Sequence, residues 1–110
     1  MITVFPGGLG KPRPAVVLQA DETISASSSI LSCPLTTFLI DAPLLRPILA
    51  PTPANGLTQM SQVMVDKISP VRKDVIRQIV GKLEGADMVR VEIALGYVTG
   101  LATSIEKPIR

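Results

Sequence analysis

The sequence predicts a small, mostly β barrel of five or six short strands closed by one C-terminal helix. Three observations carry that reading. Ten prolines and eight glycines in 110 residues cut the chain into pieces too short for a helical bundle. The apolar runs between them have strand length and are built from Val, Ile and Leu. Only the last segment changes period: Met88, Val91, Leu95, Val98 and Ala102 recur at three and four, which is helical spacing.

Ile2 to Phe5 is the first expected strand, and Pro6 to Gly10 a glycine-rich turn. Ala15 to Ala20 is almost wholly apolar and reads as a strand buried on both faces. Asp21 to Ser29 is polar and serine-rich, hence a loop, and Ile30 to Thr36 a third strand. After a turn at Asp41-Ala42-Pro43, Leu44 to Leu49 is expected as a fourth strand. Pro51 to Gly56 is a strong turn signal, because Asn55-Gly56 tolerates positive φ. Ser61 to Ile68 is expected as a fifth strand, and Val75 to Leu83 as a sixth strand or a short helix. The final helix spans Ala86 to Leu101, with Asp87 in its first turn and Gly100 at its end. Beside its first apolar stripe lies a second, Val89, Ile93 and Tyr97, suited to another surface. One domain over 1–110 is expected, with 103–110 as a flexible tail.

Composition narrows the chemistry. Aromatics are 3% of the chain, so the core must come from Val, Ile, Leu and Met. Net charge is +2 with a pI near 9.0, compatible with nucleic acid but not diagnostic of it. There is no histidine, so any phosphate chemistry falls to Arg, Lys, Asp, Glu and hydroxyls. Cys33 is the single cysteine; it excludes an intramolecular disulfide and reads as a small buried hydrophobe. No apolar run approaches the roughly 18 residues that span a bilayer, and Asp41 and Arg46 interrupt the best stretch. The start of the chain lacks a basic segment followed by an apolar one, so a cytoplasmic protein without a membrane partner is expected.

The most telling segment runs from Lys11 to Leu18. Two prolines flank Arg13, fix the backbone and favour extended conformations before each ring. A guanidinium held there is always charged and presents two parallel donors, the geometry that receives a phosphate or carboxylate.

Four segments follow one another along the chain: Lys11-Pro12-Arg13-Pro14-Ala15-Val16-Val17, Leu31-Ser32-Cys33-Pro34-Leu35-Thr36-Thr37, Ser61-Gln62-Val63-Met64-Val65-Asp66-Lys67-Ile68 and Ile79-Val80-Gly81-Lys82-Leu83. In order and spacing this set resembles the MazF/PemK-like toxins, the ribonuclease partners of type II toxin–antitoxin pairs. The resemblance covers Ile2 to about Ala102. It implies a CcdB/PemK-type barrel of five to seven strands, similar to an SH3 fold, with a C-terminal helix. It also implies a homodimer and a cognate antitoxin whose disordered C-terminal segment wraps across the RNA groove. The implied activity is sequence-selective cleavage of single-stranded mRNA with no cofactor or metal, by attack of a 2′-hydroxyl, leaving a cyclic phosphate and a 5′-hydroxyl.

The resemblance assigns roles residue by residue. Arg13 matches the catalytic arginine that opens the second strand, where fixed donors meet charge building on the phosphate. Thr36 matches the hydroxyl residue at the end of the third strand, with Thr37 its neighbour in the same motif. Asp66 matches a position where some members carry an active-site Asp, as general base or as an orienting group for Arg13; a plain ion pair to Lys67 or Arg46 is the other reading. Lys11, Arg46 and Thr37 are candidate RNA contacts. Arg72, Lys73 and Arg77 read as a solvated basic face. Two other functions stay open: a non-catalytic, CcdB-like gyrase poison, whose aromatic-ended tail this chain does not match, and an inactive truncated relative that retains antitoxin binding.

With 46% hydrophobic residues and two stripes on its last helix, the chain carries more apolar surface than a small barrel covers. A dimer mass is therefore expected by size exclusion with light scattering at micromolar protein; a monomer alone contradicts it.

Overall fold

The computed structural model describes residues 2–6, 12–19 and 21–101. Lys11, Ala102 and the expected tail at 103–110 lie outside them. Among the described residues seven strands form one antiparallel sheet: β1 (Ile2–Pro6), β2 (Pro12–Val17), β3 (Ser29–Thr36), β4 (Ile48–Leu49), β5 (Ser61–Val63), β6 (Ser69–Arg72) and β7 (Gln78–Gly81). The order is β4-β5-β3-β2-β1-β7, with β6 also on β3. One turn of helix, α1 (Asp21–Ile24), joins β2 to β3, and a long helix, α2 (Gly85–Thr99), follows β7. The architecture is a half-barrel of antiparallel strands with a C-terminal helix, as the sequence predicts.

The long strand β3 organises the sheet. One edge pairs with β2 through Ala15↔Pro34, Val16↔Cys33 and Val17↔Ser32. Its other edge is shared. The first half pairs with β6, from Ser29↔Arg72 to Ser32↔Ser69, and the last two residues pair with β5. Between those two ladders the backbone makes a 3-10 turn at Val65–Lys67. Pro34 explains the break. Its carbonyl accepts from the Met64 N–H at 2.9 Å, but its ring nitrogen has nothing to donate in return. The strand expected from Ser61 to Ile68 is therefore confined to Ser61–Val63; the 3-10 turn takes Val65–Lys67 and drives Val65 into the core, and β6 begins only at Ser69.

Other boundaries differ for local reasons. The expected strand at Leu44–Leu49 is confined to Ile48–Leu49. Pro43 and Pro47 lack donors, and the Ala42 carbonyl instead accepts from Leu45 and Arg46, closing a turn. The serine-rich stretch read as a loop contains α1, closed by Ser27 Oγ donating to the Thr23 carbonyl at 2.9 Å. Strand β2 ends at Val17, earlier than expected, because the Gln19 side chain takes the Leu31 N–H.

The core joins sheet and helix: Ile2, Val16, Cys33, Leu35, Leu49, Val63, Val65 and Leu83 meet Val91 and Ala94 of α2. Met88, Leu95 and Val98 pack against them, so the predicted first stripe is the buried one. Val89, Ile93 and Tyr97 stay exposed, as the second stripe requires. Gly100 ends the helix at φ 74°, a conformation that costs glycine nothing.

Strands β4 and β7 are the two ends of the sheet path, and the turn after β4 bridges them. Asn55 is buried there, with its side-chain oxygen accepting from Thr52 and Leu57 and its amide donating to the Ala50 carbonyl. The Ala54 carbonyl accepts from Lys82 at 2.8 Å. Gly81 lies so close that a Cβ on it would stand 2.2 Å from the Asn55 carbonyl oxygen. Gly81→Ala is expected to lower stability by about 1–3 kcal/mol, read as the urea-unfolding midpoint; an unchanged midpoint contradicts this closure.

Candidate functional site

The site begins with missing donors. Leu18 donates to the Leu31 carbonyl at 3.0 Å, so β2 turns the N–H groups of alternate residues toward β3. The next such positions are Val16, Pro14 and Pro12. Two of the three are prolines, and the β2–β3 ladder stops at Ala15↔Pro34. The β1 side keeps its donors, and that ladder continues to Pro6↔Pro12. Extended by two residues, the β2–β3 register would set Arg13 opposite Thr36. The strands part there instead, and the two side chains face a cleft of about 390 Å³ lined by Arg13, Pro14, Leu35, Thr36, Thr37, Phe38 and Ser61.

A second cavity of about 360 Å³ shares Arg13, Leu35 and Thr36 and extends over Pro34, Met64, Ser69 and Val71. The Ser32 hydroxyl, buried on that wall, meets no hydrogen-bond partner among the described residues. Arg13 and Thr36 thus stand where two depressions join.

Arg13 is exposed, and no carboxylate among the described residues pairs with it. Arg46, Arg72 and Arg90 are each neutralised, by Asp66, Asp74 and Asp87. Thr36 Oγ1 accepts a hydrogen bond from the Phe38 N–H at 3.1 Å. That bond occupies a lone pair and leaves the hydroxyl hydrogen available to a ligand in the cleft.

Asp66 and Arg46 line neither cavity. They form a two-pronged ion pair, Nε to Oδ1 at 3.0 Å and Nη2 to Oδ2 at 3.1 Å. The hydrogen bonds from Arg46 hold the Asp66 carboxyl below its ordinary range against an opposing effect of burial, and Asp66 in turn raises Arg46. A carboxylate so stabilised is a poor proton acceptor. Of the sequence-predicted residues, the structure therefore brings Arg13, Thr36 and Thr37 together and sets Asp66 and Arg46 apart as a pair. Lys11 lies outside the described residues.

Sequence reasoning did not assign Phe38, Ser61 or Gln62 to the site. Gln62 is fully buried; its side chain accepts from the Ile40 N–H at 2.7 Å and donates to the carbonyls of Ile40 and Arg46. It thereby pins the loop between β3 and β4. A polar pair opening an apolar run carried no signal of that role. Cys33 is buried as expected, and burial, reinforced by the negative charge of Asp66, pushes its thiol up to about 12, so it stays protonated and inert at neutral pH.

The comparisons with known proteins follow the same outline. A model of the PemK-like, MazF-like toxins of type II toxin–antitoxin systems matches residues 4–99. The chain belongs to that family. It is 43% identical over 93 residues to a probable endoribonuclease MazF of Mycolicibacterium smegmatis, with 84% of each chain covered. Among solved structures, the Mycobacterium tuberculosis toxin MazF-mt6 superposes with a TM-score of 0.76 at 19% identity, covering 89% of this chain and 96% of that one. An endoribonuclease in complex with its cognate antitoxin, from a mycobacterial species, gives 0.76 at 22% identity over 91% of each. At those identities the likeness is one of fold. The matched residues 4–99 include every residue that lines the cleft. No described helix is long and apolar enough to cross a membrane.

The Arg46–Asp66 pair makes a pH-dependent contribution to stability. Asp66 is depressed in the fold, so its contribution is present above the ordinary carboxylate pKa near 4 and is lost as pH falls through the lower folded value. Asp66→Asn is expected to cost about 1 kcal/mol at pH 7 and progressively less as pH falls below about 4, by urea unfolding across pH; a difference independent of pH contradicts the assignment.

Proposed function

We propose that this chain is an endoribonuclease toxin that cleaves single-stranded RNA at the Arg13–Thr36 cleft. The observation that carries the reading is a guanidinium without a carboxylate partner among the described residues, facing the same cleft as a threonine hydroxyl. The family and the endoribonuclease name of a relative 43% identical to it support the same activity.

The chemistry follows from charge. The 2′-hydroxyl of a ribose gives up its proton to solvent and attacks the adjacent phosphorus, the bond to the 5′-oxygen breaks, and that oxygen takes a proton from solvent, so the products are a 2′,3′-cyclic phosphate and a 5′-hydroxyl. Negative charge builds on the non-bridging oxygens in the transition state. Arg13 meets two of them with parallel donors, and the Thr36 hydroxyl donates a third hydrogen bond. Thr36 is oriented before substrate binds by the Phe38 N–H, and the prolines on either side of Arg13 fix the backbone from which its guanidinium reaches into the cleft. Asp66 serves in this reading to hold Arg46 and the β3–β4 loop, with no part in proton transfer. The positive charge the reaction needs is supplied by Arg13, so cleavage is expected to persist in EDTA.

The reading includes a cytoplasmic toxin, a cognate antitoxin protein that covers the RNA groove, and a homodimer. Exposed Val89, Ile93 and Tyr97 on α2, beside a depression of about 210 Å³ lined by Pro43, Leu44, Pro47 and Ile93, support a second copy as the cover of that face.

Purified protein is expected to cleave a mixed transcript to fragments with 5′-hydroxyl ends, equally with and without EDTA. Arg13→Ala is expected to lower kcat/KM about 100- to 1,000-fold, the loss typical of one donor to a developing oxyanion. Cleavage by Arg13→Ala at the wild-type rate overturns the assignment.

A further inference from the structure

We propose that Phe38 is the stacking platform for a nucleobase next to the phosphate held by Arg13; the proposal rests on the RNA-cleft reading above. Phe38 lines the cleft with Arg13, Thr36 and Thr37, and the residue is 77% exposed. Leaving a phenylalanine in water forfeits the burial that stabilises most such rings. Here the backbone on either side of the ring is braced. The Phe38 N–H is bound to Thr36 Oγ1 at 3.1 Å, and two residues later both the N–H and the carbonyl of Ile40 are bound to the buried Gln62 side chain. The span from Thr36 to Ile40 is held at both ends, and the ring is displayed on a braced segment.

The occupant follows from the neighbours. Across the same cleft stands the unneutralised cation Arg13, and the wall between carries the hydroxyls of Thr36 and Thr37. A flat apolar face beside a phosphate receptor fits a nucleotide of single-stranded RNA, whose base is free to leave its neighbours and stack. An acidic peptide could set a carboxylate on Arg13, but it carries no flat base to cover the ring. The ring has no hydrogen-bonding group, so it contributes affinity for any base and does not read the Watson–Crick edge. The preferred cleavage motif is thus set elsewhere, and Phe38 sets how tightly RNA is held.

The test uses a random-sequence pool of 2′-O-methyl single-stranded oligonucleotides, which bind but cannot be cut, read by fluorescence anisotropy. Phe38→Ala is expected to weaken binding about 5- to 150-fold, the range stacking of one base supplies. Phe38→Leu, which keeps an apolar side chain without a π face, is expected to weaken it similarly, and Phe38→Tyr to restore it. The chain has no tryptophan, so Phe38→Trp introduces a single indole whose fluorescence should be quenched on adding the pool. On a natural transcript Phe38→Ala should cut the same motif less efficiently. Wild-type affinity in Phe38→Ala or Phe38→Leu, or an indole indifferent to the pool, overturns the proposal. So does a fall from dimer to monomer mass in Phe38→Ala, which would assign the ring to a contact between copies. Stacking by a wild-type protein that cuts no transcript would instead overturn the nuclease reading and leave this one standing.

Discussion

Three absent backbone donors shape this molecule. Pro12 and Pro14 occupy the positions of β2 whose N–H groups would face β3, and Pro34 occupies one whose N–H would face the chain at Met64, just past β5. A sheet ladder cannot run past such positions. On one edge of β3 the result is a cleft between Arg13 and Thr36. On the other it is the excursion at Val65–Lys67, which separates β5 from β6 and buries Val65. A fully laddered sheet would press Arg13 and Thr36 into neighbouring positions on one continuous surface, with no room for a phosphate between them.

What keeps the parted strands in place is polar and buried. Gln62 makes three hydrogen bonds to the backbone of Ile40 and Arg46, and Arg46 closes onto Asp66. The loop that carries Thr37 and Phe38 is therefore tied to β5 and to the 3-10 turn after it. This arrangement places charge in two grades. Arg46 is satisfied within the fold and works as scaffold, while Arg13 has no internal partner among the described residues and its charge is left for a ligand. The separation agrees with the general rule that preorganised donors aimed at developing charge outweigh most other catalytic effects.

Much of this was legible in the sequence, for reasons that can be named. The buried and exposed stripes of α2, its Gly100 end and the Asn55-Gly56 turn follow from periodicity and from the conformational freedom of glycine. The pairing of Arg13 with Thr36 across one cleft follows from their motifs. The broken strand at Val65–Lys67 and the two-residue β4 were not legible, because each depends on which face of a neighbouring strand a proline meets, and that is fixed only by register. Asp66 illustrates the same limit. The sequence leaves it between a site role and an ion pair to Lys67 or Arg46; its partner lies 20 positions away, and the fold shows which of the two cations it meets. Phe38 carried no periodic signal at all; its placement is set by a hydroxyl two residues before it and a glutamine 24 residues after it.

The central claim is that Arg13 and Thr36 act on one phosphoryl group. A double-mutant cycle on the cleavage rate addresses it directly, with kcat/KM measured for Arg13→Ala, Thr36→Ala and the double variant. Groups that stabilise the same transition-state charge are strongly non-additive, so the double variant should lose far less than the product of the two single losses. A loss equal to that product would mean that the two side chains act independently, and the shared phosphate would have to be abandoned.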